Sequence, residues 1–225
     1  MTAPLRLPAR LQAVGGLIIP GSGIIDIGCD HALLDIALRL QGRISWAIGT
    51  DDKREPLTRA RANIARYGVS GIELVQTDGV VGIDRQADAA VLSGMGFHTA
   101  AAIIERSRPY FSGCRQVIVQ VNAQVPALRR WLTAHGLAID DEVCVVEAGQ
   151  YYEVIMAVNG TQRLTEQQAV FGPVLLRRRP VFFLEHHRRQ AEIMRRIAAG
   201  LPDGHADKEK LLAESRQIEA MLEQG

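Results

Sequence analysis

Cysteine is scarce in this sequence. Cys29, Cys114 and Cys144 are the only three in 225 residues, and no pair has C-x-x-C spacing. An odd, scattered set excludes a disulfide framework and a cysteine zinc site, and predicts a reducing, cytoplasmic setting. Long apolar runs are also missing. No stretch approaches the roughly 20 apolar residues of a membrane span. The opening MTAPLRLPAR has no apolar core after its charges, so secretion is not expected. An excess of one charge is missing too: the formal net charge is +1, so bulk charge announces no nucleic-acid partner. His186 and His187 have no third ligand at metal spacing, so no metal is expected. No Ser-His-Asp set or paired-carboxylate arrangement suggests a hydrolase.

The chain does have a regular alternation. GIIDIG (23–28), SWAIGT (45–50), IELVQT (72–77), DAAVLSG (88–94) and QVIVQV (116–121) are short, uniformly apolar runs that read as buried strands. Amphipathic stretches near 31–41, 53–67, 97–111 and 124–136 separate or follow them. In the last, Leu128, Trp131 and Leu132 recur at helical spacing and Gly136 serves as a C-cap. Such alternation predicts a parallel sheet covered on both faces. AIDDEVCVVEAG (138–149) and QYYEVIMAVNG (150–160) read as a hairpin added to the sheet edge, and a helix over about 8–18 precedes the first strand.

After Gly160 the pattern is helical only. LTEQQAVFGPVLLRRR (164–179) reads as a short helix, a Gly-Pro break and a further turn. Phe183, His187, Gln190, Met194, Ile197 and Leu201 follow a 4-3-4-3-4 spacing. LPDGHA (201–206) makes a turn, and Leu211, Ser215, Ile218 and Leu222 resume the seam. This predicts an antiparallel coiled-coil hairpin over 161–225, beside an α/β domain over 1–160. Two unrelated terminal helices packed on the body are the alternative. Within the tail, 163–196 holds eight arginines against Glu166, Glu185 and Glu192, a net of +5. That is a phosphate-binding patch or a solvated helical face.

Open parallel sheets bind ligands at the carboxyl ends of their strands. Asp26, Gly28, Cys29, Asp30 and His31 follow the first strand. Asp51 and Asp52 follow the second, Asp78 and Gly79 the third, Ser93 to His98 the fourth, and Gln120 and Asn122 the fifth. The loop DIGCDH lacks the glycines of a dinucleotide fingerprint, which exist to bring amides onto a pyrophosphate. An acid at Asp30 would repel that group. S-adenosylmethionine has no phosphate and carries an ammonium and a sulfonium, so acids become favourable partners. Asp51 or Asp52 can take the ribose hydroxyls, and Asp78 the adenine amino group. Plainer roles stand beside these. Asp26 can hold loop amides, Asp30 and His31 can cap the next helix, Cys29 can be a small packing residue, and Tyr152 and Glu153 can be ordinary strand residues.

The stretches LPARLQAV, IPGSGIIDIGCDHALL, AIGTDDKREPL, TDGV, SGMGFHTAAAII, VQVNAQVPALRRWL and YYEVI resemble, in order, the bacterial tRNA adenine-N1 methyltransferases that modify adenosine 22 of the D-arm. LTEQQAVFGPVLLRRRPVFFLEHHRRQ resembles that family's helical tail. The resemblance implies a class I S-adenosylmethionine-dependent methyltransferase fold, Rossmann-like with an antiparallel last strand, and a coiled coil that helps hold tRNA. The chain departs from the family at Phe97, where a glycine is usual, at Ser93, where a cysteine is usual, and at Val121, where a proline is usual.

The implied cofactor set is Asp26, Gly28, Cys29, His31, Asp51, Asp52, Asp78, Gly79 and Ser93. Adenine N1 attacks with its own lone pair, so catalysis is positioning plus stabilisation of developing positive charge. Asp30 suits that charge. Asn122 or the turn at Gly94, Met95 and Gly96 can hold the adenine edge, and Phe97 can stack on the base. Gln120 and Tyr152 fall on the substrate side. Arg6, Arg10, Arg177, Arg178 and Arg179 suit phosphate contacts. Alternatives are a methyltransferase for a small molecule or another RNA position, and a non-catalytic module that binds S-adenosylmethionine or RNA.

Overall fold

The structure, a computed structural model, describes residues 5–224. The first four residues of the amino-terminal stretch read above lie outside the described residues. Seven strands form one sheet: β1 (Gly23–Ile27), β2 (Trp46–Asp51), β3 (Ile72–Gln76), β4 (Ala89–Met95), β5 (Gln116–Val121), β6 (Leu137–Glu147) and β7 (Gln150–Asn159). Their order is β3-β2-β1-β4-β5-β7-β6. The first five strands run parallel, and β7 is antiparallel to both β5 and β6. The hairpin thus joins the sheet through its second strand.

Helices α1 (Ala9–Leu17), α2 (Leu33–Leu40), α3 (Arg54–Tyr67), α4 (Phe97–Arg106), α5 (Arg108–Ser112) and α6 (Val125–Ala134) cover the sheet. The expected single helix over 97–111 is two, because Pro109 opens a new helix after Ser107. The strands are uniformly apolar because both faces are covered. Ile25, Ile27, Ala90, Leu92, Val117 and Val119 face one core. Ile24, Ala89, Val91 and Ile118 face the other, with Val14 and Ile18 of α1 and Leu34 and Leu38 of α2.

Two compact units divide at Val174 and Leu175, later in the chain than the 160/161 boundary read from the sequence. The reason is a buried ionic cluster. Arg129 of α6 is fully buried and donates Nε to Glu142 Oε1 (2.7 Å), Nη2 to Glu153 Oε2 (2.6 Å) and Nη1 to the Val170 carbonyl (3.0 Å). Glu142 Oε2 accepts from the Val174 amide at 2.8 Å. These bonds tie α7 (Glu166–Phe171) and the start of α8 (Pro173–Arg178) to the sheet domain.

The second unit is a helical hairpin of α9 (Val181–Ala199) and α10 (Ala206–Glu223). Its seam matches the spacing read above at Phe183, Ser215 and Ile218 and departs from it elsewhere. Phe183, Ala191 and Ala198 are the buried residues of α9, and Ile197 is half exposed. On α10 Met221 is buried rather than Leu222. Small residues set this seam: the Ser215 hydroxyl donates to the Ala191 carbonyl at 3.3 Å, a close approach that larger side chains would prevent.

Candidate active site

The loop after β1 is held by backbone. The amides of Gly28 and Cys29 both donate to the Thr50 carbonyl, at 2.8 and 3.0 Å. This corrects the reading in which Asp26 holds loop amides. It also bears on the ligand, since two amides that a pyrophosphate would need are already taken. Asp30 and Ala32 adopt left-handed conformations (φ 49° and 53°), and Ala32 rather than Asp30 or His31 is the N-cap residue of α2. Asp30 is thereby free of a capping role; its carboxylate is exposed and lies 3.4 Å from His31 Nε2. The His31 carbonyl accepts from the Asn63 side chain at 3.0 Å.

A cavity of about 340 Å³ opens beside this loop. Asp26, Gly28, Cys29, Asp30 and His31 line it together with Ser93, Gly94 and Arg10. Asp26 is buried, and burial followed by the nearby Asp51 pushes its carboxyl up to about 7. Cys29 is buried, and its thiol is pushed far above the usual range by burial and then by the surrounding carboxylates. It acts as a packing residue in the loop rather than as a thiolate.

Arg10 was read as a phosphate contact, yet its guanidinium is engaged within the site. Nη1 donates to Ser93 Oγ (2.9 Å) and Gln120 Oε1 (2.8 Å), and the group stands 5.8 Å over the Tyr152 ring. The Arg10 amide donates to Glu147 of β6 at 2.9 Å. Gln120 is fully buried within β5, and its Oε1 also accepts from the Gly94 amide at 2.9 Å. Gly94 (φ 81°) marks a β-bulge between Ser93 and Met95. Its carbonyl accepts from Asn122 Nδ2 at 2.9 Å. Arg10, Ser93, Gly94, Gln120, Asn122 and Tyr152 are therefore linked in one network, of which Arg10, Ser93 and Gly94 line the cavity. Gly28 lies against Met95, whose methyl would be 3.6 Å from an added Cβ. Phe97 begins α4, packs partly on the core and meets the His98 ring at 4.8 Å.

The remaining predicted residues lie further along the strand ends. Asp51 Oδ1 accepts from the Lys53 amide at 3.0 Å, and the Asp52 side chain is exposed. Asp78 is exposed and paired with Arg106 of α4, and Gly79 accepts from the Thr50 hydroxyl at 2.8 Å. Arg6 is exposed. In the second unit Arg177 and Arg178 are exposed, whereas Arg179 donates to the carbonyls of Met221 and Leu222 at 3.1 and 2.8 Å. Sequence reading missed Asp35, a fully buried acid of α2. Its signal was there: one acid inside the apolar run LLDIAL. Among the described residues no cluster of metal-ligating side chains occurs.

The family model for tRNA (adenine(22)-N(1))-methyltransferase matches residues 24–224. The chain belongs to this family. It is 29% identical over 97% of its length to the tRNA (adenine(22)-N(1))-methyltransferase of Bacillus subtilis (strain 168), with 97% of that protein covered. Among solved structures it resembles the B. subtilis TrmK crystal structure, with a TM-score of 0.83 and 27% identity over 97% of this chain and 100% of that one. It also resembles a Streptococcus pneumoniae protein solved in complex with S-adenosyl-L-methionine, with a TM-score of 0.87 and 25% identity over 96% of this chain and 100% of that one.

Proposed function

We infer that this chain carries out its family's reaction, methylation of adenine N1 at position 22 of tRNA, with S-adenosylmethionine as donor. The observation that carries the reading is the charge and hydrogen-bond inventory of the cavity. Two carboxylates, Asp26 and Asp30, and one guanidinium, Arg10, line it, while the Gly28 and Cys29 amides are spent on Thr50. That inventory suits a ligand with an ammonium and a carboxylate and disfavours a diphosphate.

When bound, S-adenosylmethionine supplies an electrophilic methyl group on a sulfonium. Asp26 would meet its ammonium, Gly28 and His31 would border its amino-acid end, and Asp51, Asp52 and Asp78 would serve the ribose and adenine. Asp30 and the wall of Gly94, Met95, Gly96 and Asn122 would border the target base. Adenine N1 carries an unprotonated lone pair, so the chain needs no general base. Asp30 offers a negative charge where the base becomes cationic. The Arg10–Gln120–Gly94–Asn122 network would hold the Gly94 turn in place and so help position the base. A stacked D-arm adenosine must leave its stack to enter the cavity. Arg6, Arg177 and Arg178 supply exposed positive charge for the tRNA backbone. Among the described residues no helix is long and apolar enough to cross a membrane.

The test uses labelled S-adenosylmethionine and an unmodified tRNA transcript, digested to nucleosides after reaction. The expected product is 1-methyladenosine, lost when adenosine 22 is replaced by guanosine. Label on another nucleoside, or product persisting in the substituted transcript, overturns the reading.

A further inference from the structure

A second cavity, of about 360 Å³, opens where α1 and the residues before it meet the end of α2. Arg6 and Arg43 line it with Gln12, Gly16 and Gln41, and no acid does. Among the described residues neither arginine pairs with a carboxylate. Arg6 is exposed. The Arg43 guanidinium is anchored: Nη2 donates to the Ile18 carbonyl at 3.0 Å, while Nε is shut off from water without a partner. An unpaired, buried N–H on a cation costs stability. A carboxylate within reach would lower that cost, and the fold places none there. An anion brought from outside to the outer edge of the guanidinium offsets it. Gly16 leaves room for one, since nothing lies within 4 Å of where its Cβ would stand.

This cavity adjoins the first. Leu11 of α1 lines the first and Gln12 the second; Leu34 of α2 lines the first and Leu38, one helical turn on, the second. A turn is a rise of only about 6 Å. An RNA strand whose target base enters the first cavity therefore carries a neighbouring phosphate past the second. The charges match that division. Asp26 and Asp30 line the cavity read as the cofactor's, whereas arginines and neutral side chains line its neighbour.

We propose that this second cavity seats a backbone phosphate of the tRNA beside the target nucleotide, held by Arg6 and Arg43. This rests on the reading of the chain as a tRNA methyltransferase. It adds to that reading a defined site, in which Arg43 is fixed in place by its bond to α1 and Arg6 closes on the phosphate from the other side of the opening. A guanidinium held by one N–H keeps others for a phosphate oxygen, and its fork suits that group. The phosphate so held would keep the strand in register while the base turns into the first cavity.

The test is filter binding of an unmodified tRNA transcript across a salt series, with the wild type, Arg6→Ala, Arg43→Gln, Gly16→Glu and Gly16→Gln. Calorimetric titration with S-adenosylhomocysteine follows the cofactor site in the same proteins. Arg6→Ala and Arg43→Gln are each expected to weaken tRNA binding and to lower the salt slope by about 1. Gly16→Glu is expected to bind tRNA at least about tenfold more weakly than Gly16→Gln at about 0.1 M salt, since the two differ by one negative charge at the cavity. The losses are expected in tRNA affinity and not in affinity for S-adenosylhomocysteine. An unchanged salt slope in either arginine variant would overturn the proposal, as would equal tRNA affinity for Gly16→Glu and Gly16→Gln. If Arg43→Gln does not fold, Arg6→Ala and the Gly16 pair decide. Saturable uptake of inorganic phosphate by the wild type, with tRNA binding unmoved in every variant, would mark a site for free anions and also overturn it. A wild type that binds no tRNA overturns the functional reading itself, and the proposal with it.

Discussion

At the residue scale, the proposed chemistry rests on the loop after β1. Asp30 adopts a left-handed conformation that asparagine tolerates, so Asp30→Asn removes charge while leaving the backbone in place. We expect kcat to fall about 100-fold with little change in melting temperature, measured by single-turnover methylation of tRNA. Unchanged turnover would remove Asp30 from the mechanism. Asp26 gives a pH signature. Its carboxyl titrates at about 7 in the fold against 3.8 in a free chain, so the native state holds an extra proton between those values. The stability this group contributes is complete below the lower value and is lost as pH rises through the higher one. Melts of the ligand-free protein at about pH 5 and about pH 8 should therefore show a larger fall for the wild type than for Asp26→Asn. Equal falls in both would contradict the assignment.

The loop was legible in the sequence because its acids sit where amides and small residues would serve a dinucleotide. Arg10 was legible only as a charge. Nothing in LPARLQAV says that α1 brings its guanidinium to Ser93 and Gln120, since those partners are 83 and 110 positions away. Asp35 was masked by its helix: in an amphipathic stretch an isolated acid is assigned to the solvent face by default.

At the element scale, the five parallel strands, the hairpin and most helices followed from apolar runs and punctuation. Two features did not. Phe183, Ser215 and Ile218 of the expected seam are buried, whereas on α9 the close approach is made at Ala191, a small residue outside the 4-3-4 spacing. The boundary was placed where the strands end, whereas Arg129 and Glu142 carry the sheet domain's cohesion to Val174. Arg129→Met leaves Glu142 and Glu153 buried without their cation, and we expect it to cost about 3–5 kcal/mol in chemical denaturation. Gly172 sits in the same cluster with φ 88°, and an added Cβ would lie 2.6 Å from both Arg129 and Glu142. Gly172→Ala should thus destabilise by about 1–3 kcal/mol in the same assay. A loss within error for both variants would show that the cluster does not hold this segment.

At the scale of the whole molecule, the protein is near neutral, and the proposed tRNA contact rests on local arginines. Arg177 and Arg178 are exposed on the second unit, and replacing either with alanine should weaken tRNA binding and reduce the salt slope by about 1 without changing cofactor affinity. Filter binding across a salt series checks this. The Arg179 guanidinium caps α10; Arg179→Ala should lower thermal stability more than Arg177→Ala. The central claim concerns the crevice: its acids and its spent amides select a cationic, phosphate-free ligand. Calorimetric titration of the wild-type protein with S-adenosylmethionine and, separately, with NADH tests it most directly. The account predicts saturable uptake of the first and no heat of binding from the second. Tight uptake of NADH with none of S-adenosylmethionine would contradict it.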